Sequence, residues 1–242
     1  MDTAQLADRL VSWLKEKVAE AGCQGAVLGI SGGIDSAVVA VLCKRAFPDA
    51  TLGVLMPCYS IPRDKEHALV VADKFSIPTR EVVLDGTYDS LAGTLPDFGA
   101  ESRMGLPSRA NIKARLRMLA LYFLANQWGY LVVGSSNRSE LAVGYFTKYG
   151  DGGVDIAPLG NLVKRQVREL AGFLGVPQEI IDKPPSAGLW PGQTDEAELG
   201  LTYDEIDDYL TNGRGRKDVR EKIEAMMAGC RHKRQPPAVP EF

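Results

Sequence analysis

A chain of 242 residues with 45% hydrophobic content is long and apolar enough for one sizeable core. Its formal net charge of −3 argues against a nucleic-acid coat or a membrane-surface protein, both of which carry an excess of Lys and Arg. Four cysteines (Cys23, Cys43, Cys58, Cys230), with no CxxC pair and no His at zinc-ligand spacing, argue against a disulfide framework or a structural metal, and predict a reducing, cytoplasmic home.

The first segment, MDTAQLADRLVSWLKEKVAEAG, has an acidic residue at its second position and reads as an amphipathic helix ending at Gly22, not as a signal peptide. No apolar run approaches the ~20 residues needed to span a bilayer. Buried strands are expected at Gly25–Ile30, Thr51–Met56, Glu81–Leu84 and Tyr130–Gly134. Helical patterns separate them at Ser36–Phe47, Asp64–Phe75 and Ser108–Gln127. This alternation predicts an α/β fold in which a parallel twisted sheet carries helices on both faces. Ligands in such sheets sit beyond the carboxyl ends of the strands.

The second half is helical, with patterns near Asn161–Leu174, Thr202–Leu210 and Asp218–Cys230 and little strand signal. Its charge is segregated: Asp195 to Asp208 holds only acidic charges, whereas Arg214 to Arg234 is dominated by basic ones. Two stretches carry no regular pattern, Asp85–Pro107 and Lys183–Gly192 (KPPSAGLWPG), and loops of this length are either surface excursions or lids and binding loops. As lids, they would be mobile without ligand and close to exclude water. One domain covering residues 1–242 is the expected organisation, with no length left for a glutamine-hydrolysing domain.

The most informative stretch is GAVLGISGGIDSAVVA, Gly25 to Ala40. A strand runs into Ser31-Gly32-Gly33, and Asp35 and Ser36 then open a helix, whose N-terminal N–H groups and dipole favour a bound phosphate. A bare pair of glycines would be read as an ordinary strand-to-helix turn. The composite SGGIDS adds two hydroxyls and a carboxylate, and it matches neither a Walker A loop nor a GxGxxG fingerprint. It resembles the pyrophosphatase loop of the N-type ATP pyrophosphatases. That resemblance implies an adenine-nucleotide alpha-hydrolase-like (ATP pyrophosphatase) fold. It also implies that Gly29, Ile30, Ser31, Gly32, Gly33, Ile34, Asp35 and Ser36 bind ATP, which is cleaved between its α- and β-phosphates.

Downstream, NIKARLRM (Asn111–Met118), GSSNRSELAVGYFTKYGDGGVDIAPLGNLVKRQV (Gly134–Val167), KPPSAGL (Lys183–Leu189), DEAELGLTYDEID (Asp195–Asp207) and HKRQPP (His232–Pro237) resemble the NAD synthetases in their short, ammonia-dependent form. The resemblance covers nearly the whole chain. It implies that the nicotinate carboxylate of deamido-NAD attacks the α-phosphate of ATP. An acyl-adenylate and pyrophosphate form, and ammonia then displaces AMP. Mg²⁺ is the implied cofactor, held by Asp35 and Glu140. Alone, Glu140 would be read as a first-turn carboxylate facing a helix dipole. Ser135, Lys164 and Ser186 fall where the family contacts ATP, with Ser in place of the family's Thr at 135 and 186. Arg115, Lys148, Asp155, His232 and Lys233 fall where it binds deamido-NAD, with cations suited to the phosphates and a carboxylate to a ribose. Lys164 and Asp151 are the catalytic candidates. Lys164 would compensate charge on the attacked phosphate, and Asp151 would orient or deprotonate incoming ammonium. Tyr145 is a further candidate for substrate contact. The implied partners are ATP, deamido-NAD, ammonia and a second copy in a homodimer, with no nucleic acid and no membrane. Another adenylating ammonia ligase of the same superfamily, and a silent nucleotide sensor, are the competing readings.

Overall fold

The computed structural model describes residues 2–96, 105–190 and 192–240. In chain order its first half runs α1 (Thr3–Glu20), β1 (Gly25–Gly29), α2 (Ile34–Ala46), β2 (Thr51–Leu55), α3 (Pro62–Lys74), β3 (Thr79–Glu81), α4 (Asp85–Thr94), α5 (Gly105–Trp128) and β4 (Tyr130–Val132). The second half adds α6 (Arg138–Val143), α7 (Lys164–Leu174), α8 (Gln178–Ile181), α9 (Asp195–Leu199), α10 (Tyr203–Asn212), α11 (Lys217–Gly229) and a 3₁₀ turn at Arg231–Lys233.

The four strands form a parallel sheet in the order β3-β2-β1-β4. Central β1 is buried up to its last residue, Gly29, because both of its faces are covered. Ala26, Leu28 and Ile30 pack into the larger core with α1, α2, α3 and α7, whereas Val27 faces Leu121 and Ala125 of α5. That two-sided burial explains why GAVLG reads as a continuous apolar run and not as an alternating one. A separate apolar cluster under α6, α10 and α11 gathers Val143, Leu199, Leu201, Ile206, Val219 and Ile223. Helices of the acidic and basic stretches are thereby tied to α6, the helix that follows β4.

From β1 the chain crosses through α2 to β2 on one side, and from β3 it returns through α5 to β4 on the other side, so the connections diverge between β1 and β4. The carboxyl ends of these two neighbours are therefore the place for a ligand.

Most of the expected elements fall within a few residues of their predicted bounds, the short helices α6, α8 and α9 were not expected, and two regions differ for physical reasons. The third strand is Thr79–Glu81, ahead of the expected Glu81–Leu84. It is an edge strand with exposed side chains, so it needs no apolar pattern; Val82 and Leu84 follow it, each still donating to the β2 segment (Leu55 O 2.8 Å, Pro57 O 2.9 Å). In the expected loop Asp85–Pro107, Asp85–Thr94 is instead helical, begun by Tyr88 N–H bonding Leu84 O at 2.8 Å. Pro107 sits in the first turn of α5, where no intrahelical N–H is required. Residues 97–104 of that stretch lie outside the described residues. Lys183–Gly192 is irregular as expected, apart from Pro191, which is not described.

Candidate active site

The turn after β1 is locked by its own hydroxyls. Ser36 is buried; its Oγ donates to Gly33 O (2.9 Å), accepts from Ser31 N (3.1 Å) and lies 3.0 Å from Ser31 Oγ. Gly32 adopts φ +75°, and a Cβ there would stand 2.2 Å from Asp64 O of α3, so both the backbone conformation and the space require glycine. Gly33 begins α2 without any side-chain cap, leaving the first-turn N–H groups of this helix available to an anion.

A cavity of about 860 Å³ opens at this point between the ends of β1 and β4. Its walls include Gly29, Ile30, Ser31, Gly33, Ile34, Asp35 and Ser36 from the turn, and Ser135 and Glu140 from beyond β4. Asp151, Lys164, Ser186 and Lys233 complete the set of expected residues that reach it.

At the centre lies Lys164, whose side chain is only 2% exposed. Its ammonium makes a short ion pair with Asp35, stands 3.3 Å from Glu140 Oε1, and lies over the Tyr203 ring. Burial alone would lower the pKa of Lys164, but Asp35 and Glu140 together raise it, so the amine stays charged. Burial, followed by the neighbouring Asp35 carboxylate, pushes Glu140 up to about 8 against the pull of Lys164.

Local capping explains how three residues distant in sequence converge. Asn137 caps α6 by accepting from Glu140 N (3.1 Å), while Glu140 Oε2 accepts from Asn137 N (3.1 Å). The same Asn137 donates through Nδ2 to Asp35 Oδ1 (2.9 Å), joining this cap to the phosphate turn. Lys164 opens α7, and the buried Asp207 carboxylate of α10 caps that helix. It accepts from Lys164 N (3.3 Å), Arg165 N (2.8 Å) and the Ser139 hydroxyl (2.5 Å). The expectation from sequence omitted Asn137, Tyr203, Asp195 and Asp207. Asn137-x-x-Glu140 is a legible capping pair, but the three partners of Asp207 lie 42, 43 and 68 positions away and leave no local signal.

The irregular Lys183–Gly192 stretch is tied down over the turn. Lys183 Nζ donates to Asp64 Oδ1 (2.6 Å) and Gly32 O (3.2 Å), and Lys113 Nζ donates to Leu189 O (2.9 Å). Ser186 lies on this strap, exposed, its Oγ accepting from Gly188 N at 3.1 Å. Asp151 is exposed at the cavity edge, where its Oδ1 accepts from Thr147 N (2.9 Å) and shapes the glycine-rich loop.

Gly32 stands behind the turn, and Arg115, Lys148, Asp155 and His232 are likewise absent from the cavity walls. Three of the last four are joined to one another. Arg115 of α5 donates to Lys148 O (3.4 Å), Lys148 Nζ to His232 O (2.6 Å), and Asp155 accepts from Tyr122 of α5 (2.9 Å) and from Val132 N (2.8 Å). Lys233 connects the two regions, donating to Gly144 O and Phe146 O while facing the cavity.

A glycine turn with free helix N–H groups, facing a buried cation between two carboxylates at the switch point of a parallel sheet, is a site for a polyphosphate nucleotide, and the class is an α/β enzyme of the ATP pyrophosphatase-like fold. Comparison with known proteins narrows this. The family NAD synthase matches residues 6–237, and the chain belongs to that family of ligases. It is 51% identical, over 99% of its length and 96% of the relative's, to the NH(3)-dependent NAD(+) synthetase of Syntrophomonas wolfei. Among solved structures, it superposes on the NMN synthetase of Francisella tularensis with a TM-score of 0.93 at 38% identity, covering all of both chains. The NH3-dependent NAD synthetase of Campylobacter jejuni matches with a TM-score of 0.83 at 28% identity, again over both whole chains.

Two outcomes follow from this geometry. Asp207→Ala removes the cap of α7 and strands its buried donors; a loss of about 2–4 kcal/mol in urea-unfolding stability is expected. Glu140 is held above its ordinary value near 4.5, so its contribution to stability is complete below that pH and is lost as pH rises towards 8. In the ligand-free protein, Glu140→Gln should therefore melt above wild type by a margin that widens from pH 5 to pH 8, at about 2–4 °C per kcal/mol. A margin independent of pH in thermal melts would remove that assignment.

Proposed function

We propose that this chain catalyses the ATP-dependent amidation of deamido-NAD by ammonia, giving NAD, AMP and pyrophosphate through an acyl-adenylate. The observation that carries the reading is Lys164 buried between Asp35 and Glu140, beside the uncapped start of α2. The turn N–H groups suit the departing pyrophosphate. Lys164, kept charged, suits the phosphoryl oxygens on which charge builds during attack by the nicotinate carboxylate. Ser135 and Ser186, both in the cavity wall, suit hydroxyl contacts to ATP. No protein nucleophile is needed, and the catalytic contribution is positioning and charge compensation.

Mg²⁺ fits the donor set. Asp35 and Glu140 offer hard carboxylate oxygens next to the phosphate turn, and among the described residues no set of three or more carboxylate, His or Cys side chains is arranged to hold a metal on its own. One or two carboxylates plus substrate phosphates is the pattern this ion favours. Asp35 and Glu140 would hold it, and it would supply neutralisation of polyphosphate charge.

Arg115, Lys148, Asp155 and His232 suit the anions and ribose of the dinucleotide. Arg115, Leu119 and Phe123 follow one another at four-residue spacing on α5, and the two apolar members are 62% and 63% exposed. This apolar stripe beside the dinucleotide residues supports a homodimer packed through α5. Free buried thiols at Cys43, Cys58 and Cys230 suit a reducing cytoplasm, and no described helix is long and apolar enough to cross a membrane. We read residues 1–242 as one domain.

The likeness to an NMN synthetase favours one competing acid, the mononucleotide counterpart. Purified protein with ATP and Mg²⁺ should convert deamido-NAD to NAD with ammonium, releasing AMP and pyrophosphate. Glutamine should not replace ammonium, and the mononucleotide acid should give the lower kcat/KM. ADP as product, or a preference for the mononucleotide, would replace the proposed reaction. Light scattering should give twice the chain mass, and Leu119→Glu with Phe123→Glu should shift it to one chain.

A further inference from the structure

Asp195, the first residue of α9, is 5% exposed yet borders the same cavity. One of its carboxylate oxygens, Oδ2, accepts from the Tyr203 hydroxyl at 2.9 Å, whereas Oδ1 is buried with no hydrogen-bond partner. An unsatisfied buried carboxylate oxygen is costly, and Asp195 is accordingly one of only two residues among those described with such an atom; the other is His67. The surroundings add negative charge: Lys164 is a single ammonium set among Asp35, Glu140 and Asp195. Close by, the Tyr145 hydroxyl donates its proton to Glu198 Oε2 (2.8 Å) and accepts one long bond from Gln193 Nε2 (3.4 Å), which leaves its oxygen a second acceptor position.

From this arrangement we propose that Asp195 Oδ1 and the Tyr145 hydroxyl oxygen form the seat that binds the ammonium substrate. The assignment rests on the amidation reading above. Ammonium brings several N–H donors and one charge, which complement one orphaned carboxylate oxygen and one phenol oxygen. A divalent ion is a poorer occupant, because it requires a fuller set of hard oxygens than these residues provide. Asp151 is differently placed: its Oδ1 is committed to Thr147 N of its own glycine-rich loop. Asp195 is buried and has an oxygen to spare.

Asp195→Asn is the discriminating variant, because the amide keeps an oxygen for Tyr203 and removes the charge. Two half-reactions are measured: deamido-NAD-dependent ATP–pyrophosphate exchange without ammonium, and NAD formation across an ammonium titration. The expected result is a KM for ammonium raised about tenfold or more, the scale of a lost charge-assisted hydrogen bond, with exchange and kcat at saturating ammonium changed by less than about threefold. Tyr145→Phe should raise the same KM by a smaller factor. Wild-type crystals soaked in rubidium chloride, a monovalent stand-in for ammonium, should show an anomalous peak at Asp195 Oδ1. An unchanged KM for ammonium, or equal losses in both half-reactions, would overturn the assignment. If wild type shows no exchange at all, the amidation reading fails, and the presence or absence of the rubidium peak still decides the cation seat; if Asp195→Asn does not fold, Tyr145→Phe and the soak decide it.

Discussion

The arrangement depends on burying one lysine among carboxylates. An ammonium removed from water at Lys164 is tolerable because Asp35 pairs with it directly while Glu140 stands at 3.3 Å, and removing Asp35 would leave an uncompensated charge in a poorly solvated place. The contacts come from three separate parts of the chain: the turn after β1, the helix after β4, and the first residue of α7. Each is therefore fixed by an independent device. Ser36 holds the turn, Asn137 holds α6 against it, and Asp207 holds the start of α7. The polar centre is expensive to assemble, and the surrounding caps are what keep it in one geometry.

Sheet topology supplies the location and the caps supply the precision. Because β1 and β4 are neighbours whose connections leave on opposite faces, the space beyond their ends cannot be filled by either crossover helix. A cavity there is a consequence of strand order. Its chemistry is then set by short local choices: a glycine turn that leaves helix N–H groups free, and a capping pair that orients one carboxylate towards the opening.

Much of this was legible in the sequence, for reasons that can be named. Short-range patterns carried the elements: GAVLG as a buried strand, SGGIDS as a glycine turn that opens a helix, and the apolar periodicity of α2, α3 and α5. Family resemblance, and not periodicity, placed Glu140 and Lys164 together, and the structure brings both to Asp35. What could not be read was long-range pairing. Asp195 and Asp207 lie in a run of acidic residues that looks like a solvated face, yet both are buried, and only tertiary contact reveals it. The edge strand β3 was misplaced because exposed strands need no apolar code, and α4 was missed because glycine within a helix reads as a break.

Glu140 illustrates how tightly structure and chemistry are interwoven at a single position. One carboxylate oxygen closes the first turn of a six-residue helix while the other confronts the buried ammonium. The two duties pull on the same side chain from opposite ends, so its length is as constrained as its charge. An aspartate would have to abandon one of them. Selection on the reaction at this residue is thus also selection on the integrity of α6, and neither can drift without the other.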